Sequence, residues 1–225
     1  MKWKNPFLLM LVAFLALSSC NQSEKLLSEE LVLTEHALEI APSGLAVETR
    51  ATPDIKITCG GTCEAGEHPF DPSERSCAAM LYDGGAGTIE CPCNDCVMRF
   101  SQISAGEASR YLSPASDYVK YFNEHLIAKF GTAKVLLYSV EIKKYEATEV
   151  VWFIYKELGG AEERSVMYVA KLDASGLRAG PVIEVDCSGG CDNPGETCRE
   201  RYILSTGDVE CTCQGSCSMK ITEKQ

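Results

Sequence analysis

Cysteine is the residue type whose number and spacing in this chain could support chemistry. The 225 residues include 13 cysteines. Twelve of them fall into two sets of six, each with the order CxxxC, C, CxC, C. Such cysteines can form structural disulfides, bind a metal ion or carry out thiol–disulfide exchange. The first set is Cys59, Cys63, Cys77, Cys91, Cys93 and Cys96, and the second is Cys187, Cys191, Cys198, Cys211, Cys213 and Cys217.

The two sets lie in segments that resemble each other along most of their length. Pro53-Asp-Ile-Lys-Ile-Thr-Cys59 aligns with Pro181-Val-Ile-Glu-Val-Asp-Cys187, and Gly87-Thr-Ile-Glu-Cys91 aligns with Gly207-Asp-Val-Glu-Cys211. Each segment ends with a cysteine, one further residue and a methionine. The loop between the second and third cysteines has 13 residues in the first copy and 6 in the second. Agreement at this many positions indicates a duplicated unit.

The three cysteine chemistries are not equally supported. Metal binding is disfavoured because CxxxC with CxC departs from the CxxC pairs of common zinc sites, and neither segment has a convincing histidine ligand. Redox catalysis through Cys93-Asn94-Asp95-Cys96 is disfavoured because Asp95 has the wrong charge to stabilise a thiolate. The matching Cys213 and Cys217 also have three residues between them. We therefore predict structural disulfides, with no metal or other cofactor and with the pairing left open.

The first 20 residues indicate the compartment. Lys2 and Lys4 precede an apolar run of 11 residues, which has the layout of a secretory signal and is shorter than the ~20 residues that span a bilayer. The run ends in Leu17-Ser18-Ser19-Cys20, which resembles the lipobox of bacterial lipoproteins. The resemblance implies cleavage before Cys20, acylation of that cysteine with chains such as palmitate, and membrane anchoring. Asn21, which is not aspartate, implies the outer membrane in bacteria with two membranes. Twelve cysteines then remain, an even number that can pair completely.

Composition and motifs exclude several other functions. The formal charge of −11 becomes −13 when Lys2 and Lys4 are removed with the leader, which disfavours a nucleic-acid partner. The sequence contains no GxSxG, HExxH or phosphate-binding glycine loop. Of the three histidines, we expect His125 at the surface or at the edge of the core. No catalytic residue is predicted.

The segment between the two copies has a different pattern. Ser113-Pro114 is typical of a helix start, apolar residues recur at helical spacing up to Phe130, and Gly131 should end the helix. Three strands should follow. The first places Leu136, Tyr138, Val140 and Ile142 on one face, the second (150–155) is apolar on both faces, and the third alternates from Val166 to Leu172.

The predicted fold class is α+β, with a central helix on an antiparallel β-meander flanked by two duplicated, small, disulfide-rich β modules. The predicted boundaries are a leader at 1–19, a lipid-anchored tether at 20–52, six-cysteine modules at 53–100 and 181–225, and an α+β domain at 101–180. We expect a non-catalytic binding or structural role in the cell envelope. The partners would be the membrane, through lipid on Cys20, and an unidentified protein or envelope polymer. The alternative is an envelope metal-binding or thiol-redox protein that uses the cysteines.

Overall fold

Antiparallel strands make up most of the protein in the computed structural model, which describes residues 54–225 apart from 146 and 214. The predicted leader, Cys20 and the tether at 20–52 lie outside the described residues. The helices are α1 (Ala105–Leu112) and α2 (Asp117–Phe130). The strands are β1 (Ile55–Gly60), β2 (Met80–Asp83), β3 (Thr88–Glu90), β4 (Val97–Ser101), β5 (Lys134–Tyr145), β6 (Thr148–Glu157), β7 (Glu163–Leu172), β8 (Arg178–Ser188), β9 (Glu200–Ile203), β10 (Asp208–Cys211) and β11 (Ser218–Lys224).

Nine of these strands form one sheet, in the order β11-β8-β7-β6-β5-β1-β4, with β2 also paired to β5 and β3 paired to β2. Every pairing in the sheet is antiparallel. The hairpin of β9 and β10 forms a separate two-stranded sheet. The long strands β5 to β7 are the meander that the sequence predicts. It is extended at one edge by β1 and β4 of the first cysteine segment and at the other by β8 and β11 of the second.

The predicted α+β arrangement of a helix on a meander between two flanking modules is wrong. Strand β1 of the first cysteine segment pairs with β5, and β8 of the second pairs with β7, so one sheet runs through both segments and the meander. The architecture is therefore mostly antiparallel β-sheet. The physical reason is that an isolated two-stranded segment has unpaired edges, which the edges of the meander satisfy.

The helical region also differs from the prediction. The chain has two helices here, and the predicted start at Ser113-Pro114 lies in the turn between them, where the backbone N–H of Ser116 donates to the carbonyl of Ser113 at 2.8 Å. Helix α1 begins with a capping box, because the Ser104 side chain accepts from the backbone of Glu107 while the Glu107 side chain accepts from the backbone of Ser104. Helix α2 ends at Gly131 in the left-handed conformation, as predicted.

Strand β5 contains a β-bulge that the sequence pattern does not show. The register between β5 and β6 shifts between Leu137 and Ser139. As a result Val135 and Leu137, rather than Leu136 and Tyr138, join Val140 and Ile142 in the helix-side core. The first half of the predicted alternation was therefore assigned to the wrong face.

The sheet buries apolar residues on both faces. On one face, α1, α2 and the first cysteine segment cover a large core, within which Phe122 of α2 stacks on Phe153 of β6 with a centroid distance of 4.3 Å. On the other face, a smaller core that includes Trp152 and Val185 packs against Tyr202 and Val209 of the β9–β10 hairpin. This confirms that residues 150–155 are covered on both sides.

The described residues belong to a single compact unit. Within this part of the chain, no helix is both long enough and apolar enough to cross a membrane.

Candidate functional site

All twelve cysteines of the two sets are in disulfides, and each disulfide stays within its own copy. In both copies the first cysteine pairs with the fourth, the second with the fifth and the third with the sixth. The predicted disulfide bonding is confirmed, and the structure supplies the connectivity that the sequence left open. The bonds are Cys59–Cys91, Cys63–Cys93, Cys77–Cys96, Cys187–Cys211, Cys191–Cys213 and Cys198–Cys217.

The two copies also share their strand register. Cys59 of β1 lies opposite Met98 of β4, and Cys187 of β8 lies opposite Met219 of β11. Because the aligned cysteine and methionine oppose each other in both copies, the likeness in sequence extends to the hydrogen-bonded ladder. The corresponding strands β4 and β11 thus lie at the two opposite edges of the same sheet.

Equivalent glycines permit the same close backbone approach in both copies. Gly61 and Gly189 have φ of +133° and +119°. A Cβ on Gly61 would lie 2.8 Å from the carbonyl oxygen of Asp95, and one on Gly189 would meet the carbonyl oxygen of Ser216. Asp95 and Ser216 directly precede the last cysteine of each copy, so the glycine is required where the chain returns to close the third disulfide.

Two disulfides of the first copy pack against each other. In the first copy the Cys63 sulfur lies 3.9 Å from that of Cys77 and 3.7 Å from that of Cys96, so two disulfides are in contact.

Cys93 and Cys96 of the CxxC sequence do not bond to each other, since Cys93 pairs with Cys63 and Cys96 with Cys77. The CxxC therefore does not form the internal disulfide that redox catalysis through this motif requires.

A cleft lies at one end of the sheet, between the helices and the turns that join β5 to β6 and β7 to β8. Its volume is 540 Å³, within the usual range of about 300–1,000 Å³ for ligand sites. The β7–β8 turn is held by Asp173, whose side chain accepts from the backbone N–H groups of Ser175 and Leu177 at 2.8 and 3.0 Å. This turn places Leu177, which is 67% exposed, at the rim of the cleft.

Basic side chains surround an acidic, aromatic floor in this cleft. The buried Tyr118 donates its hydroxyl hydrogen bond to Glu149 at 2.7 Å, and burial, followed by the charge of Glu149, raises the pKa of Tyr118 above its ordinary value. Arg178 lies 5.0 Å from the centre of the Tyr118 ring and pairs with Asp117 at 2.6 Å. Lys144 lies 3.6 Å from Glu149.

Arg110, in the last turn of α1, is the third cation that lines the cleft, and it is exposed. The cleft is therefore lined by three basic residues, Arg110, Lys144 and Arg178, and by two acidic residues, Asp117 and Glu149. It is locally cationic on a chain whose formal charge is −11. Sequence reasoning missed this site. The capping box at Ser104 could have revealed α1, but no local pattern links Arg110 to Lys144 or Arg178.

His125 is buried, contrary to the predicted place at the surface or the core edge. Its Nε2 lies 3.0 Å from the Tyr155 hydroxyl and its Nδ1 lies 3.4 Å from Glu184, which also pairs with Lys224 at 3.0 Å. Burial alone would raise the pKa of Glu184, but hydrogen bonds from His125 and Lys224 outweigh it and lower that pKa. The group ties α2 to β6, β8 and β11, so its evident role is structural.

Comparison with known proteins gives no family: no family description, no curated protein and no solved structure matches the chain.

Proposed function

We propose that the protein is an exported lipoprotein, cleaved before Cys20 and anchored by acyl chains on that cysteine in the outer membrane of the cell envelope. The support is the resemblance of Leu17-Ser18-Ser19-Cys20 to a lipobox, together with six disulfides within the described residues. Disulfides form and persist in exported proteins and are rare in reducing cytosol. Several acyl chains give stable anchoring, whereas a single chain gives marginal anchoring.

The anchoring is tested by the Cys20→Ala substitution. We expect loss of labelled palmitate and release of the protein from the membrane fraction. The matched control is Ser19→Ala, which keeps the cysteine and should retain both the label and the membrane association. A Cys20→Ala chain that stays in the membrane fraction without label would contradict the proposed anchor.

We further propose that the folded part acts by binding, and that the cleft around Arg110 and Arg178 is the binding site. The observation that supports this is a locally cationic cleft of ligand-site volume on an otherwise acidic protein. Arginine suits ligands that carry carboxylate or phosphate groups, because its planar donors engage such groups in pairs. The Glu149 carboxylate on the floor is an acceptor for ligand hydroxyl groups.

Binding in the cleft is tested by an NMR titration of the protein with a uronic-acid disaccharide, which has both a carboxylate and hydroxyl groups. Shift changes should be confined to residues around Tyr118 and Arg178. Arg110→Ala should weaken binding about 5- to 30-fold, the effect of removing one partly screened charged hydrogen bond. Lys220→Ala, an exposed cation outside the cleft, is the control. Equal weakening by both variants, or shifts scattered over the surface, would contradict the site.

The alternative proposal is an envelope metal-binding or thiol-redox protein. One observation favours it, namely the contact between the Cys63–Cys93 and Cys77–Cys96 disulfides in the first copy.

A further inference from the structure

Two disulfides of the first copy bring four sulfur atoms into one cluster. The Cys63 sulfur is bonded to Cys93 and lies 3.9 Å from Cys77 and 3.7 Å from Cys96. The sulfurs of Cys63, Cys93 and Cys96 all lie within 4.8 Å of one another. Cys77 and Cys96 are themselves bonded. Five of the six distances among these four sulfurs are therefore short.

Two of these distances match the edges of a tetrahedral metal site. With Zn–S bonds of about 2.3 Å, neighbouring sulfurs of a tetrahedron are separated by about 3.8 Å. The contacts of 3.7 and 3.9 Å between the two disulfides already have this length. Once the two disulfides are broken, side-chain rotation would have to separate the two bonded pairs and bring the sulfurs of Cys77 and Cys93, which are not within 4.8 Å of each other, closer together.

We propose that the first copy becomes a tetrathiolate Zn²⁺ site, formed by Cys63, Cys77, Cys93 and Cys96, when these two disulfides are reduced. Each disulfide takes up two electrons and two protons from a dithiol reductant, which is itself oxidised to a disulfide. The four thiols then release their protons as Zn²⁺ binds the thiolates. Tetrahedral sulfur coordination is the arrangement that favours Zn²⁺.

The surroundings allow both entry and retention of the fold. Cys96 is partly exposed, and Cys77, although buried, borders a cleft of 430 Å³ that Arg99 also lines. The positive charge of Arg99 favours thiolates beside it. The disulfide Cys59–Cys91 takes no part in the cluster, and the pairing of β1 with both β4 and β5 does not depend on the cluster.

The second copy forms an internal comparison. There the sulfurs within 4.8 Å of one another belong to Cys198, Cys211 and Cys217. The disulfide beside Cys198–Cys217 is therefore Cys187–Cys211, and Cys187 is outside that group within the described part of the chain. Cys77 lies outside the first group in the same way, so the copies differ in their closest packing: the contacts of 3.7 and 3.9 Å between two disulfides belong to the first copy, which is where we expect the site to form.

The test is to reduce the folded chain under anaerobic conditions with dithiothreitol and to titrate it with Zn²⁺. Native mass spectrometry should show the uptake of one Zn²⁺ by a chain that has lost at least the Cys63–Cys93 and Cys77–Cys96 disulfides. Alkylation followed by peptide mapping should show that Zn²⁺ protects Cys63, Cys77, Cys93 and Cys96. Protection that is absent, or equal in both sets of cysteines, would overturn the proposal.

Matched variants separate a built site from thiols in general. Removing the third disulfide of the first copy, with Cys77→Ser and Cys96→Ser, should weaken Zn²⁺ binding by about tenfold or more. Removing its counterpart, with Cys198→Ser and Cys217→Ser, should leave the Zn²⁺ affinity unchanged. Equal losses in the two variants would overturn the proposal, as would equally tight binding by the reduced chain in denaturant. Neither result depends on the cleft around Arg110 and Arg178, so both leave the proposed binding function untested and unchanged.

Discussion

Replacing Phe122 with alanine is the most direct test of the helix-side core. Phe122 is completely buried, and its ring stacks on Phe153 at a centroid distance of 4.3 Å. It also contacts Tyr155 and Tyr82 edge-on or tilted, at 5.2 and 5.3 Å. Tyr82 lies on β2, so this one side chain joins α2 to the meander and to the first cysteine segment.

The expected loss in the free energy of unfolding is about 3–5 kcal/mol. Transfer of a phenylalanine side chain into the core contributes about 1.5–3 kcal/mol, and the aromatic contacts add about 0.5–1.5 kcal/mol. The remainder comes from the cavity, because neighbours held by disulfides and by a sheet collapse only partly into it. These contributions reach the range that is typical of Phe→Ala in protein cores.

The measurement is urea unfolding of the oxidised chain, followed by the fluorescence of the buried Trp152. With a urea dependence of about 2 kcal/mol per molar, the midpoint should fall by about 2 M at an unchanged slope. Ile127→Ala is the matched control, because Ile127 lies on the same helix but is 52% exposed. It should change the stability by less than about 0.5 kcal/mol. A Phe122→Ala variant that behaves like this control would refute the core assignment.

Three further predictions concern single groups. Burial raises the pKa of Glu200 above 4.5, so the stabilisation from its protonated carboxyl is present below that pH and is lost as pH rises through the folded pKa. Glu200→Gln should flatten this dependence of the free energy of unfolding on pH, without loss of stability at pH 7. Urea unfolding measured over a range of pH checks this. The pKa of Glu184 is lowered, so the stabilisation from its ionised carboxylate is present above about pH 4.5 and is lost as pH falls through the folded pKa. The Glu184→Gln variant should therefore not show this decrease in stability at acid pH. Gly189→Ala should lower the melting temperature, because Gly189 has a positive φ and a Cβ there would meet the carbonyl of Ser216. The control is Gly190→Ala, whose Cβ would make only ordinary contacts and should be tolerated. Equal changes in melting temperature would contradict this account.

The features that local sequence determines were predictable. An even number of cysteines and a repeated spacing were enough to predict six disulfides. The continuous apolar run at 150–155 was enough to predict a strand buried on both faces. Gly131 after an apolar helix was enough to predict where α2 ends, because the left-handed position there favours glycine.

The features that depend on distant contacts were not predictable. His125 is buried because Tyr155 and Glu184, 30 and 59 residues further along the chain, supply its hydrogen-bond partners. The bulge in β5 has no signal in the alternation around it, yet it changes which side chains face the helices. The cationic cleft combines Arg110 of α1 with Lys144 of β5 and Arg178 of β8, which only the folded sheet brings together.

The two cysteine segments are equivalent in crosslinks and register, but they serve different faces of the sheet. The hairpin of the first copy pairs with β5 and adds Met80 and Tyr82 to the helix-side core. The hairpin of the second copy leaves the sheet and covers the opposite face, where Tyr202 packs on the core that contains Trp152. Because the helices cover only one face, a sheet that is apolar on both faces needs this second cover. The copies are therefore unequal parts of a single fold, and neither could replace the other without exposing an apolar face to water.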